Sequence, residues 1–474
     1  MRRLPLLVVP VFLTVALACS GFVPAEAPTE AAPEAEPAPE APKGPTPNVL
    51  FIVADDLGTD KVSVYGEHPD APPTPRIDAL AAEGLLFRNA YAYSVCSPTR
   101  AAMLTGRYGR RYGLGGIVSV PEETHELPLS EVLLPEMLQL APEVWHSAAI
   151  GKWHLSGHQT QSSFSHPNDQ GFGHFEGTLG NLGTLTDARD GSYQRWEKVT
   201  NGAKEVATTY ATSATTDDAI RQLGQLSSPF FLYVAYHAPH QPLHVPPEAL
   251  LPEPLPRRSG PKERYAAVVT ALDHEIGRLL DAMSPAQRAQ TMVVFLGDNG
   301  TEGSAILPPL DPDHGKGTMF EGGTNVPFVV RGPGVPAGQE TDALLHVVDL
   351  FPTVAELAGV DLSRLTRDGR LIDIDGVSQV PTFRGGEGVR SFVYTEKFRP
   401  VGPGPYDADW RAVRDDRYKL LDLGRREPGF FDLQGRFDDG EPLRRAQLTP
   451  DEAARYEVLK GQLDLHRQRL GYEH

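Results

Sequence analysis

Cysteine is nearly absent from this chain: its 474 residues contain two, Cys19 and Cys96. Two thiols cannot build a disulfide framework, although the N-terminus reads as an export signal. Basic residues are also short. Lys and Arg number 44 against 62 Asp and Glu, a net charge of −18, which excludes the basic footprint that nucleic-acid binding needs. Part of that acidity is local and belongs to an N-terminal spacer. The apolar run 4–17 is too short for a comfortable transmembrane helix, and no internal repeat is visible. A hydrophobic share of 40% still allows a sizeable core, and 46 Gly with 44 Pro imply many loops.

The first residues read as an address. Met1-Arg2-Arg3, the apolar run and Ala18-Cys19-Ser20 have the layout of a secretory signal. The small residues before Cys19 resemble a bacterial lipoprotein box, which would lipidate Cys19 as the mature N-terminus. Ala16 stands where Leu is usual, and Ala16-Leu17-Ala18 also reads as an ordinary signal-peptidase site. Both alternatives predict export: to the bacterial periplasm or outer membrane as a lipoprotein, or by secretion. Membrane contact is expected only through such an N-terminal lipid anchor. A Pro, Ala and Glu stretch follows to about residue 46, with nothing to bury and enough Pro to stay extended. The expected organisation is a signal at 1–19, a linker at 20–46, a catalytic domain at 47–384 and a C-terminal subdomain at 385–474.

The run 48–54 is apolar, β-branched and closed by Asp55-Asp56, the pattern of a strand buried on both faces. Similar runs lie at 147–150, 230–235, 292–296 and 327–330, with helices expected at 76–83, 215–226, 264–283 and 347–357. This alternation predicts an α/β sandwich around a large, mostly parallel sheet flanked by helices. After about residue 385, short strands at 389–397, 410–413 and 417–423 and a helix at 450–470 predict a smaller α+β subdomain with an antiparallel sheet.

The polar clusters fall just after the strands, where open α/β sheets bind ligands. Asp55, Asp56, Asp298 and Asn299 offer hard oxygens suited to Ca²⁺ or Mg²⁺, without the His or Cys that zinc or copper would want. Taken alone, each pair also reads as a turn. Arg100, Lys152, His154, His237, His240 and Lys316 are cationic or titratable, and grouped beside a metal they would pocket a tetrahedral anion. Cys96 is the one thiol of the folded part. It is expected in a polar loop just ahead of a helix at 100–104.

Cys96-Ser97-Pro98-Thr99-Arg100, continued by Ala101-Ala102-Met103-Leu104-Thr105-Gly106-Arg107, resembles the formylglycine signature of type I sulfatases in the alkaline-phosphatase superfamily. The resemblance runs in family order through Asp55-Asp56, Thr74-Pro75-Arg76-Ile77-Asp78, Gly151-Lys152-Trp153-His154-Leu155, Gly171-Phe172, His237-Ala238-Pro239-His240-Gln241-Pro242, Gly297-Asp298-Asn299-Gly300, Gly315-Lys316-Gly317 and Glu321-Gly322-Gly323. It spans roughly residues 47 to 435.

The resemblance implies one calcium on Asp55, Asp56, Asp298 and Asn299, and Cys96 oxidised to formylglycine by a separate maturation enzyme. A hydrated aldehyde carries two hydroxyls on one carbon. One attacks sulfur, and the other lets the covalent sulfate leave by elimination. Arg100 and Lys152 match positions that stabilise the formylglycine, His154 matches the base of the elimination step, and His240 with Lys316 match the pair that binds sulfate and protonates the leaving alcohol. His237 matches at most a supporting or substrate-side position. Many members carry Arg two residues after Glu-Gly-Gly, where this chain has Asn325. The implied reaction is hydrolysis of a sulfate ester, on a sulfated small molecule or glycan. Two rivals share the fold: a phosphonate monoester or phosphodiester hydrolase, and a catalytically silent glycan-binding relative.

Overall fold

The structure, a computed structural model, describes residues 45–119, 124–182, 193–406, 408–424 and 427–471. The expected signal, the lipoprotein box and all but the end of the linker lie outside the described residues, as does much of the stretch 181–201. Among the described residues, no helix is long and apolar enough to cross a membrane.

The first strand, β1 (Asn48–Asp55), sets the architecture. All eight of its residues are buried. Val49, Phe51 and Val53 enter one apolar core, and Leu50, Ile52 and Ala54 enter another on the opposite face. A strand apolar at every position can only sit in the middle of a sheet covered on both sides. Nine further strands complete that sheet: β2 (Leu85–Tyr91), β3 (His146–Lys152), β4 (His174–Thr178), β5 (Trp196–Thr200), β6 (Ala203–Ala207), β7 (Phe230–Pro239), β8 (Thr291–Gly297), β9 (Phe328–Arg331) and β10 (Gln339–His346). Their order is β10-β2-β9-β8-β1-β7-β3-β4-β5-β6.

The centre is parallel: β8, β1, β7, β3 and β4 all run the same way. β9 runs against β8 and β2, and β5 and β6 close the other end as an antiparallel ribbon. The expected large, mostly parallel sheet is therefore present, with β9 as an antiparallel insertion. Helices Pro75–Ala82, Ala211–Leu223 and Pro261–Asp281 cover one face. Helices Cys96–Thr105 and Leu350–Leu357 cover the other.

After a two-residue hairpin, β11 (Thr366–Arg367) with β12 (Arg370–Leu371), a second sheet follows. It joins β13 (Val393–Arg399), β14 (Ala408–Arg414), β15 (Tyr418–Asp422) and β16 (Gly429–Asp432), antiparallel throughout. The helix Pro450–Arg469 packs against it through Tyr456, Leu459 and Leu463. All of the described elements belong to one compact unit.

Candidate active site

Because β1, β3, β7 and β8 are parallel neighbours, their carboxyl ends open on one edge of the sheet. Asp55 ends β1 and Asp56 follows it. Lys152 ends β3, His237 lies near the end of β7, and Asp298 follows β8. Asp56 and His154 hold left-handed backbone, with φ of 67° and 65°. Such conformations cost roughly 1–3 kcal/mol for a residue with a Cβ and persist only where the surroundings enforce them. Gly300 has to be glycine for another reason. A Cβ there would stand 1.7 Å from the carbonyl oxygen of Gly322, so the Asp298-Asn299 turn can press against the short helix Glu321–Thr324 that follows the Lys316 loop.

Cys96 corrects the sequence expectation. It does not sit in a loop ahead of a helix; it is the first residue of the helix Cys96–Thr105, whose ten residues are all buried. Pro98 falls in the first turn, where a missing N–H costs nothing. No side chain caps this terminus, and the thiol at its positive end lies within 4.8 Å of ligand atoms of Asp55, Asp56 and His240.

Three carboxylates and three fixed cations interlock here. Arg100 donates from Nε and Nη2 to Asp298 Oδ2 at 3.0 and 2.7 Å, and from Nη1 to the Lys152 carbonyl at 2.7 Å. Lys152 Nζ reaches Asp55 Oδ2 at 2.5 Å, and Lys316 Nζ reaches Asp56 Oδ2 at 2.6 Å. Asn299 Nδ2 donates to Asp56 Oδ1 at 2.9 Å, and the Asp56 N–H donates to Asp298 Oδ1 at 3.1 Å. Arg100, Asp55, Asp56 and Asp298 are wholly buried; the side chains of Lys316 and His240 retain 12% and 14% exposure and mark the open side. His240 Nε2 lies 3.7 Å from Asp56 Oδ2.

Burial alone would raise the Asp55 carboxyl, but Lys152, His240 and Arg100 hold it well below the carboxylate range. Asp298 is pushed up to about 7 by burial and by the charge of Asp55. Burial, with Asp55 beside it, raises the Cys96 thiol, so the unmodified side chain is a protonated, poor nucleophile. Burial followed by the Lys152 charge keeps His154 neutral, and the same two causes bring His237 to about 3.

The donor set fits a hard divalent cation. Asp55 Oδ1 and Asn299 Oδ1 are buried without a hydrogen-bond partner, and unpaired buried oxygens are what a bound cation satisfies. The fold also brings in two groups that the strand ends alone do not show. Ligand atoms of Asp55, Asp56, Cys96 and His240 all lie within 4.8 Å of one another. The oxygen set is thus not free of His and Cys, as its sequence suggested, while Asp298 and Asn299 join it through their bonds to Asp56.

His237 is buried, with Nε2 2.7 Å from Thr178 Oγ1. Asn325 lies apart: its Nδ2 donates to the Arg88 carbonyl, and its backbone bridges Tyr91. Sequence reasoning missed Tyr193, whose hydroxyl lies 2.8 and 2.7 Å from the carbonyls of His237 and His240. It also missed Tyr265, whose hydroxyl donates to the Asp56 carbonyl at 2.5 Å. No local motif marks a tyrosine that acts on a distant carbonyl.

The family model described as sulfatase matches residues 47–360. Human N-acetylgalactosamine-6-sulfatase is 34% identical over 369 residues, covering 72% of this chain and 66% of its own length. The chain thus spans just under two thirds of that relative. Mouse arylsulfatase G is 30% identical over 466 residues, 85% of this chain and 84% of its own. Among solved structures, Ps i-CgsB in complex with k-i-k-neocarrahexaose superposes with a TM-score of 0.72 at 26% identity, covering 90% of this chain and 93% of that one. With its signature cysteine, its strand-end carboxylates and these relatives, the chain belongs to the sulfatase family.

Proposed function

We propose that this protein is a sulfatase that hydrolyses a sulfate ester to an alcohol and inorganic sulfate, with a formylglycine made from Cys96 and one calcium. The observation that carries this reading is the meeting of Cys96 with Asp55, Asp56 and His240 at one buried point beside three fixed cations. Cys96 converted to formylglycine would supply a hydrated aldehyde, with one hydroxyl for attack on sulfur and a second for release of the sulfate. Asp55, Asp56, Asp298 and Asn299 would hold the calcium, which would supply Lewis-acid stabilisation of the oxygen nucleophile and of charge on the sulfate.

The remaining chemistry belongs to the chain's own side chains. Arg100 fixes Asp298 and, through the Lys152 carbonyl, the end of β3. Lys152 neutralises Asp55 and orients it. His154 is neutral, and its Nδ1 has no partner, so it can take a proton inside the site. Burial opposes the charge on Lys316, but Asp56 keeps it protonated. Lys316 and His240, at the open side, bind sulfate oxygens and supply the proton to the leaving alcohol.

Complete burial of Cys96 supports its maturation before folding is finished. Export follows from the N-terminal signal pattern. The glycan in the Ps i-CgsB complex and the names of the aligned relatives favour a sulfated glycan as substrate. The test is sulfate release by matured protein from a panel of sulfated glycans and para-nitrophenyl sulfate, beside phenylphosphonate monoesters. Turnover of the sulfates is expected. Faster turnover of the phosphonates would replace the reading with phosphonate hydrolysis.

A further inference from the structure

The face of the second sheet turned toward the active site does more than cover the core. One face of this sheet, with Tyr394, Val413, Leu420 and Phe430, joins the main apolar core. The other face is spent on the segment that follows Lys316. Its register sets Lys397 opposite Trp410, Thr395 opposite Ala412, and Arg414 opposite Lys419, all on that side. Ala412, Leu421 and Phe431 pack with Met319. Lys419 and Arg414 close on Glu321 at 3.0 and 3.4 Å. At the near end, Lys397 Nζ donates to the carbonyl of Gly317.

That last contact differs from the others. Gly317 has φ of +83°, a conformation open to glycine, and glycine is the least restricted joint a chain can have. It directly follows the lysine whose Nζ must reach both Asp56 and the sulfate. The joint is pinned twice: its N–H donates to the Ser94 carbonyl at 2.7 Å, and its carbonyl is held by Lys397. Lys397 itself rests over the Trp410 ring, 5.1 Å from its centroid, and no carboxylate pairs with it among the described residues.

Resting on the reading of Lys316 as a sulfate-binding group, we propose that Lys397 is a positioning residue: by holding the Gly317 carbonyl it fixes the joint that aims the Lys316 ammonium at the sulfate.

Lys397→Met, Lys397→Arg and Lys419→Met in the full, matured chain test this. The measurements are KM for para-nitrophenyl sulfate, calorimetric affinity for inorganic sulfate, and Tm. Small misplacement of a binding group costs about tenfold or more, so Lys397→Met should raise KM and weaken sulfate binding by about tenfold. Lys397→Arg should restore both to within about threefold, because a guanidinium can donate to the same carbonyl. Lys419→Met should lower Tm and leave sulfate affinity near that of the wild type, which separates positioning from general support. Sulfate affinity of Lys397→Met within about twofold of the wild type overturns the proposal, as does an equal loss in Lys419→Met. Sulfate binding is read without turnover. A wild type that binds sulfate and hydrolyses no sulfate ester therefore sinks the sulfatase reading and still decides the role of Lys397.

Discussion

Two buried charge clusters lie on either side of the Lys316 loop, and they are built differently. The one beneath the second sheet joins Glu321 and Asp439 to Lys419, Arg414 and Tyr91. Glu321 Oε1 meets Lys419 at 3.0 Å and Oε2 accepts from Tyr91 at 2.6 Å; Asp439 Oδ1 meets Lys419 at 2.9 Å and Oδ2 accepts from the Glu321 N–H. Every carboxylate oxygen there lies close to a cation or a donor, Asp439 Oδ1 through its ion contact with Lys419 rather than a hydrogen bond. The strand-end cluster sets three carboxylates against three cations, yet it leaves Asp55 Oδ1 and Asn299 Oδ1 without a hydrogen bond, Asp55 Oδ1 having only Arg100 at 4.0 Å, and two of its groups are partly open. A closed network holds parts together. An open one keeps oxygens that a bound cation could satisfy.

The largest expected effect separates the clusters outright. Cys96→Ala should lower sulfate release by at least about 10³-fold, as removal of a nucleophile does, while Tm stays close to that of the wild type. Next comes the closed cluster: Lys419→Met removes the cation shared by two buried carboxylates and should cost about 3–5 kcal/mol of stability, measured by denaturant unfolding. A loss below about 1 kcal/mol would mean that this network is wetter than its burial implies.

Chelation should act on the open cluster alone. Removing calcium should lower stability by about 3 kcal/mol if the ion was present at a hundred times its Kd, and re-addition should restore it. Asp55→Asn should abolish that response, whereas Lys419→Met should keep it. An unchanged response in Asp55→Asn would break the distinction.

The smallest effect concerns pH. His466, stacked on Tyr394 with ring centroids 4.2 Å apart, is brought from 6.5 to about 4 by burial and by Arg469. Its folded pKa lies below its unfolded one, so the unfolded chain takes the proton first as pH falls. Its contribution to stability is complete above pH 6.5 and drains away toward pH 4. Tm should decline through that window, and His466→Phe should flatten part of the decline.

Of the central sheet, β1, β3, β7, β8 and β9 were legible because each carries a short run of buried, mostly apolar residues. β1 needed no partner to be recognised. β2, β4, β5, β6 and β10 were not read from the sequence: β6 is largely exposed, and the first half of β10 is polar, so pairing rather than composition makes those two strands. The helix at Cys96 was hidden by Pro98, which reads as a loop residue until its place in the first turn is known. At the site, oxygen ligands that follow buried strands announce themselves. The arrival of His240 beside Asp56, the Tyr193 bonds and the reach of Lys397 to Gly317 depend on contacts between distant segments. No local spacing encodes them.

The most direct test of the account is the mass of the tryptic peptide that contains residue 96, taken from active protein. The account predicts the aldehyde of formylglycine in place of the thiol, with activity tracking the converted fraction across preparations. Full sulfatase activity in protein that carries only the cysteine would contradict it.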